Sequence, residues 1–314
     1  MTELPAFSDI ESAAAVLKPY GVETPLIENA DLNERLGGRV FLKLETLQRT
    51  GSFKFRGACN RISRIPPAER PKGVVAFSSG NHAQGVAAAA ALLSIPALIV
   101  MPKDAPAAKL EGTRARGAEI VFYDRVKDDR EAIARAICEE RGATLIRPFD
   151  DFYVVAGQGT VGLEIARAAE TKGVALDAVL APCSGGGLIG GNALAFSALS
   201  PATRVVSVEP EYYDGMKRSL AAGKRVAAPG GPLSIADALM APMPGEIPFA
   251  IAQRHLSDAL TVTDEALSSA ALFAARTLKL TVELSGVAAL AVLLSNGFRV
   301  KGKNIALVLS GANL

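Results

Sequence analysis

The chain has 314 residues, 49% of them hydrophobic and 21% charged, the balance of a globular protein with ample material for a core. Its 34 Lys and Arg are interspersed with 32 Asp and Glu for a formal net charge of +2, which excludes the concentrated basic face of a nucleic-acid binder. Residues 1–11 hold Glu3, Asp9 and Glu11 and read as no secretory signal, while the longest apolar run, 86–100, contains Ser94 and Pro96 and is too short for a membrane span.

In chain order, Ser52 is placed to cap a helix over 53–64. Residues 73–77 read as a buried strand and 81–93 as an Ala-rich helix. Strands over 97–101 and 119–123 alternate with helices over 107–116 and 127–141, with Gly73, Pro96, Pro102, Gly117 and Gly142 at the joints. The alternation continues as a helix over 157–169, a strand over 177–181, a helix over 188–199 and a strand over 204–209. Helices over 264–280 and 284–294 and a strand over 304–309 close the chain. Strands alternating with helices predict right-handed βαβ units and an α/β protein with parallel-rich sheets. Residues 227–248 break the pattern with Pro229, Pro232, Pro242, Pro244 and Pro248, a stiff loop of the kind that often carries function. Cys59, Cys138 and Cys183 show no metal-ligand spacing and cannot all pair, so they read as reduced thiols in a cytoplasmic protein.

Three segments carry chemistry. Gly51-Ser-Phe-Lys-Phe-Arg-Gly57 puts Lys54 in the first turn of its helix between two Phe residues, where desolvation and the helix dipole both disfavour an ammonium and favour a nucleophilic amine. A solvated surface lysine is the bland alternative. Ser78-Ser-Gly-Asn-His82 lies where a strand gives way to a helix, at the carboxyl edge of a sheet. There, free amides and two hydroxyls suit a carboxylate and Asn81 adds a carboxamide; His82 alone is more often a packing histidine. Ser184-Gly-Gly-Gly-Leu188 follows a strand and opens a helix, so its amides form a nest for phosphate.

The third segment also spells G-x-G-x-x-G over Gly185–Gly190, and Glu209 ends the next strand near the place of a ribose-binding acid. An NAD(P)-binding Rossmann oxidoreductase is therefore a rival, but it leaves the other two segments idle. A pyridoxal-phosphate (PLP) enzyme uses all three at once: an amine for the aldehyde, an amide and carboxylate site beside it, and a phosphate cup. It also requires a partner for the pyridine nitrogen, and Ser310 after the last strand offers a hydroxyl.

With Thr24-Pro-Leu26, Ser52-Phe-Lys-Phe-Arg-Gly57, Ser78-Ser-Gly-Asn-His82, Ser184-Gly-Gly-Gly-Leu188 and Ser310-Gly-Ala-Asn313, the chain resembles the fold-type II PLP enzymes, in the threonine dehydratase and serine racemase branch. The resemblance implies a two-lobed, tryptophan synthase β-like α/β fold with the cofactor in the cleft. A large domain would combine 1–72 with 151–314, and a small domain would span 73–150. It also implies that Lys54 is the Schiff-base lysine flanked by Phe53, that Asn81 meets the phenolic oxygen, that Ser184, Gly185, Gly186, Gly187 and Leu188 hold the phosphate, and that Ser310 faces the ring nitrogen. Ser78, Ser79, Asn81 and His82 would surround the substrate carboxylate. The implied activity is dehydration and deamination of a small β-hydroxy amino acid such as threonine or serine to a 2-oxo acid and ammonia, by a homodimer.

Two departures bear on the activity. Many threonine dehydratases carry alanine where this chain has Ser79; in serine racemases that hydroxyl is the acid/base on the face opposite the lysine. Racemisation, or action on 3-hydroxyaspartate, thus stays open. Racemase-like members also hold a divalent ion with Glu-Pro-x-x-x-Asp-Asp. This chain reads Glu209-Pro-Glu-Tyr-Tyr-Asp-Gly215, so Glu209 is a candidate Mg²⁺ or Ca²⁺ ligand in a degraded site, with Asp214 or Glu211 as substitutes.

Overall fold

A computed structural model describes residues 3–314 except Ser79 and Pro106, with only the backbone of Ala108. Two sheets emerge from the alternating apolar runs. The chain enters through α1 (Phe7–Leu17), β1 (Leu26–Glu28), α2 (Ala30–Leu36) and β2 (Arg39–Leu44), then forms α3 (Lys54–Ser63). A four-stranded sheet follows, made by β3 (Val74–Phe77), β4 (Ala97–Pro102), β5 (Glu119–Tyr123) and β6 (Thr144–Leu145), with α4 (Asn81–Leu92), α5 (Ala107–Arg114) and α6 (Arg130–Arg141) as its crossovers. Its order is β5-β4-β3-β6, and each pairing is parallel.

The remaining chain runs through α7 (Phe152–Thr171), β7 (Ala178–Pro182), α8 (Gly187–Leu199), β8 (Arg204–Pro210), α9 (Gly215–Ala222), α10 (Glu246–His255), β9 (Asp258–Val262), α11 (Asp264–Phe273), α12 (Ala288–Leu294) and β10 (Asn304–Leu309). Its strands join β1 and β2 in a six-stranded sheet of order β1-β2-β10-β7-β8-β9. Only β1 runs antiparallel, at an edge. Alternate residues of β10 explain why such strands read as unbroken apolar runs. Ile305, Leu307 and Leu309 pack under α2, α11 and α12 on one face, while Ala306 and Val308 pack under α1, α7, α8 and α10 on the other. No helix among the described residues is long and apolar enough to cross a membrane.

Several expectations shift. Ser52 does not cap α3: Phe53 is the capping residue, and Ser52 is extended and bridged to Gly311, with its buried hydroxyl lacking a partner among the described residues. Pairing with the far end of the chain overrides the local capping preference. The helix expected over 127–141 begins at Arg130, because Asp129 accepts from the amides of Glu131 and Ala132. The helix expected over 157–169 extends to Phe152–Thr171 with Asp151 as its cap; it is buried along most of its length, so periodicity marks its ends poorly. The helix expected over 264–280 stops at Phe273 and loosens into a π-turn, Ala274–Leu278, ended by Lys279 at φ +58°. The loop over 227–248 contains a short 3₁₀ turn, Asp237–Leu239, and leads into α10 at Glu246.

Candidate active site at the carboxyl ends of both sheets

The strand ends of β3, β7 and β10 open onto one cleft, lined by Phe53, Lys54, Ser78, Asn81, Ser184–Leu188 and Ser310 among others. Parallel strands end together, which is why three segments distant in sequence meet here. The described residues of the expected set therefore converge, whereas Ser79 lies outside the described residues. Glu209 does not line the cleft.

The cup is built by the turn between β7 and α8. Gly186 sits at φ +93°, a conformation that a side chain strains, and a Cβ there would come 2.7 Å from Met216 Cε. A Cβ on Gly185 would strike the ring of Phe149. The amides of Ser184, Gly185, Gly186, Gly187 and Leu188 donate to no group among the described residues, and they stand at the positive end of α8. Unspent donors there make an anion site. Ser184 Oγ accepts from the amide of Ala241 at 3.0 Å, tying the 227–248 loop to the rim.

Lys54 faces this cup from the start of α3. That helix packs on α4 through Phe55, Ala58 and Ile62, and it crosses α7 where Gly57 and Gly157 let the backbones approach. Lys54 Nζ donates to the carbonyl of Pro148 at 2.9 Å and lies 5.1 Å from the centre of the Phe53 ring. Burial lowers its pKa to about 8, against an opposing pull from Glu283. A fraction of the amine is thus unprotonated near neutrality, as a nucleophile requires.

His82 is held differently. Its Nε2 lies 2.9 Å from the carbonyl of Ile146, which only accepts, so Nε2 carries the hydrogen. Burial first, then the neighbouring Lys54, press the imidazole pKa to about 3, so the ring is neutral, with Nδ1 buried and unpartnered among the described residues. What His82 can offer an anion is its backbone amide at the start of α4. Ser78 Oγ accepts from the amide of Gly80 at 3.2 Å. Ser310 is held by its backbone, donating to Gly286 and accepting from Phe53, with its hydroxyl in the cleft wall.

Glu209 is fully buried, and its two oxygens accept from the amides of Met216 and Lys217, both at 2.9 Å. Burial pushes its carboxyl up to about 8 against those amides. Asp214 pairs with Arg218 at 2.7 Å. The carboxyl group thus caps α9, and no group of three or more His, Cys, Asp or Glu able to hold a metal occurs among the described residues.

The sequence leaves Glu283 unassigned, as an acid more often structural, and gives no sign of Lys109, Asp237 and Arg130; all four line the cleft. Glu283 accepts from Asn81 Nδ2 at 2.6 Å, and burial raises its carboxyl to about 7. Its only signal was a lone acid between Val282 and Leu284 in an apolar stretch. Lys109 pairs with Asp237 at 2.5 Å across the mouth.

The sequence pattern of the family "Pyridoxal-phosphate dependent enzyme" matches residues 17–311. The chain belongs to this family. Within it, the enzyme is 43% identical over 312 residues to an L-threo-3-hydroxyaspartate ammonia-lyase of Pseudomonas sp, covering 99% of this chain and 96% of that one. It is 40% identical to a serine racemase of Schizosaccharomyces pombe, covering 99% and 95%. The solved crystal structure of a threonine deaminase from "T.th." superposes with a TM-score of 0.93 at 46% identity, covering 99% of both chains. The enzyme is a fold-type II α/β protein of the threonine dehydratase and serine racemase branch, with PLP as cofactor, and the dinucleotide reading of Gly185–Gly190 is set aside. The residues present fit that cofactor: five unspent amides suit its phosphate, Lys54 suits its aldehyde, and the Ser310 hydroxyl suits a ring nitrogen.

Proposed function

We propose that the enzyme dehydrates and deaminates a small β-hydroxy amino acid, threonine or serine: water lost across Cα–Cβ is returned when the resulting imine hydrolyses, giving a 2-oxo acid and ammonia. The observation that carries this reading is the desolvated Lys54 amine placed across the cleft from the cup of unspent amides. In this reading Lys54 and Phe53 hold the aldehyde end of the cofactor, Ser184, Gly185, Gly186, Gly187 and Leu188 hold its phosphate, Asn81 meets the phenolic oxygen, and Ser310 meets the ring nitrogen. Residues 73–150 form a small domain against a larger one made of 1–72 and 151–314, and two copies form a homodimer.

Ser78 and the backbone amides at the start of α4 orient the substrate carboxylate. Free Lys54 Nζ accepts the proton from Cα. When bound, the cofactor supplies an electron sink for the charge left at that carbon. Ser310 is a hydroxyl and not a carboxylate, so it does not force a proton onto the ring nitrogen. Charge is thereby less delocalised, and prompt loss of the β-hydroxyl, which takes up a proton and leaves as water, is favoured. In a racemase reading, Ser79 would be the second acid/base and return a proton to Cα.

A second reading, elimination from 3-hydroxyaspartate, is favoured by two cations in the cleft wall, Lys109 and Arg130, and by the name of the Pseudomonas relative. A substrate panel separates the readings through kcat/KM for 2-oxo acid and ammonia release from L-threonine, L-serine and L-threo-3-hydroxyaspartate. The leading reading requires threonine or serine to exceed hydroxyaspartate. A preference for hydroxyaspartate of roughly tenfold or more establishes the second, and no product from any of the three overturns both.

A further inference from the structure

The motif Ser310-Gly-Ala-Asn313 is only partly explained by its serine. Asn313 Nδ2 lies 2.8 Å from the carbonyl of Thr50 and 2.7 Å from Asn81 Oδ1. On its other side Asn81 Nδ2 lies 2.6 Å from Glu283 Oε1. A carbonyl only accepts, so Thr50 fixes which end of Asn313 is the amide nitrogen, and Asn313 in turn fixes which end of Asn81 is the oxygen. Turning the Asn81 carboxamide over would set two N–H groups against each other at Asn313 and, with Glu283 ionised, two oxygens against each other at Glu283. Each contact is penalised, because the first lies in a partly buried contact and the second in a buried one.

Two glycines make room for this chain of bonds. A Cβ on Gly311 would strike Glu283 Oε1, and a Cβ on Gly51 would come 2.7 Å from Asn313 Oδ1. Gly51 also sits at φ +69° and Glu283 N donates to Gly311 O, so backbone and side chains are fitted together. Burying a carboxylate here is costly. Its position against one particular amide shows what the cost maintains. Lys54, Lys109 and Asp237 are the other charged groups facing Glu283.

We propose that Glu283 and Asn313 are positioning residues that lock the Asn81 carboxamide with its second N–H, not its oxygen, turned into the cleft. The inference rests on the reading that the phenolic oxygen of the cofactor lies beside Asn81. Without the lock the amide samples both orientations, and in one of them its oxygen opposes the phenolate.

The experiment measures the dissociation constant of PLP and the visible absorbance maximum of the bound form for single and double variants. Asn81→Ala, Glu283→Ala and Asn313→Ala are each expected to weaken PLP binding roughly tenfold and to shift the maximum alike. Glu283→Gln keeps an acceptor and is expected to stay within about threefold of wild type. In the Asn81→Ala background, neither Glu283→Ala nor Asn313→Ala should add to the loss. If Asn81→Ala weakens binding but the other two bind as wild type, or if their losses add to it, the positioning role is overturned while the site reading stands. If Asn81→Ala itself binds PLP as wild type does, the placement of the ring beside Asn81 is wrong and the inference falls with it. Should Glu283→Ala not fold, Asn313→Ala alone carries the same comparison.

Discussion

Lys54 and Arg56 stand two residues apart on α3, and burial works against the charge of both, yet their proton affinities move in opposite directions. Behind the helix, Arg56 is gripped by Glu45 at 2.7 Å and by Glu164 at 2.5 Å, while Lys43 meets Glu164 at 2.5 Å. Thr24 adds its hydroxyl to Glu45 at 2.5 Å, which accounts for its place in the sequence motif. Burial alone would disfavour the guanidinium, but Glu45 and Glu164 raise its pKa above the ordinary value. Burial likewise works against the Glu164 carboxylate, but Arg56 and Lys43 hold it below the usual range. In front of the helix, Lys54 makes no ion pair among the described residues and leans on a carbonyl instead. Desolvation therefore wins there. Burial sets the stakes, and the partner decides which way the proton affinity moves.

That contrast can be broken most sharply at Lys54. Lys54→Met should lower kcat/KM by at least about 10⁴-fold, because both the nucleophile and the proton acceptor are lost. The same change should stabilise the cofactor-free protein near pH 7 by on the order of 2–3 kcal/mol. The sign follows from the lowered pKa: about 8 folded against an ordinary 10.5. The folded state binds fewer protons between those values, so wild-type stability rises across pH 8 to 10.5. The advantage of Lys54→Met should vanish above that window. Urea unfolding at pH 7 and pH 10.5 checks it, and an advantage that persists at the higher pH removes the desolvation argument.

On the other side of the helix, Glu45→Ala leaves Arg56 buried with half its partners and should cost about 3–5 kcal/mol, read as a fall in the urea midpoint. A loss under about 1 kcal/mol would mean that the cluster is held by packing and not by charge. The pair Lys109–Asp237 supplies the mild end of the scale. Asp237 is 55% exposed, so Lys109→Ala should change stability by less than about 1 kcal/mol, and less still at high salt.

Much of the fold was legible because its causes are local. The segments around β3, β4, β5 and β7 alternate strand with helix, and glycine or proline punctuates them where turns need it. The glycine cup and the start of α4 were legible for the same reason: an anion site at a helix start needs only neighbouring residues. The entering elements β1, β2 and α1 went unread, since they gain their partners from β10, α7 and α8. The Ser52 cap failed because a bridge to Gly311 claimed that backbone.

The sequence by itself determined which chemical groups the cleft would hold: an amine, a nest of amides, a carboxamide and a terminal hydroxyl. Tertiary structure alone decided their states. Asn81 meets a carboxylate 202 residues away and a second carboxamide 232 residues away, separations at which spacing carries no signal. Proton affinity and hydrogen-bond direction depend on what packs within a few ångströms, and only the folded chain determines which groups those are.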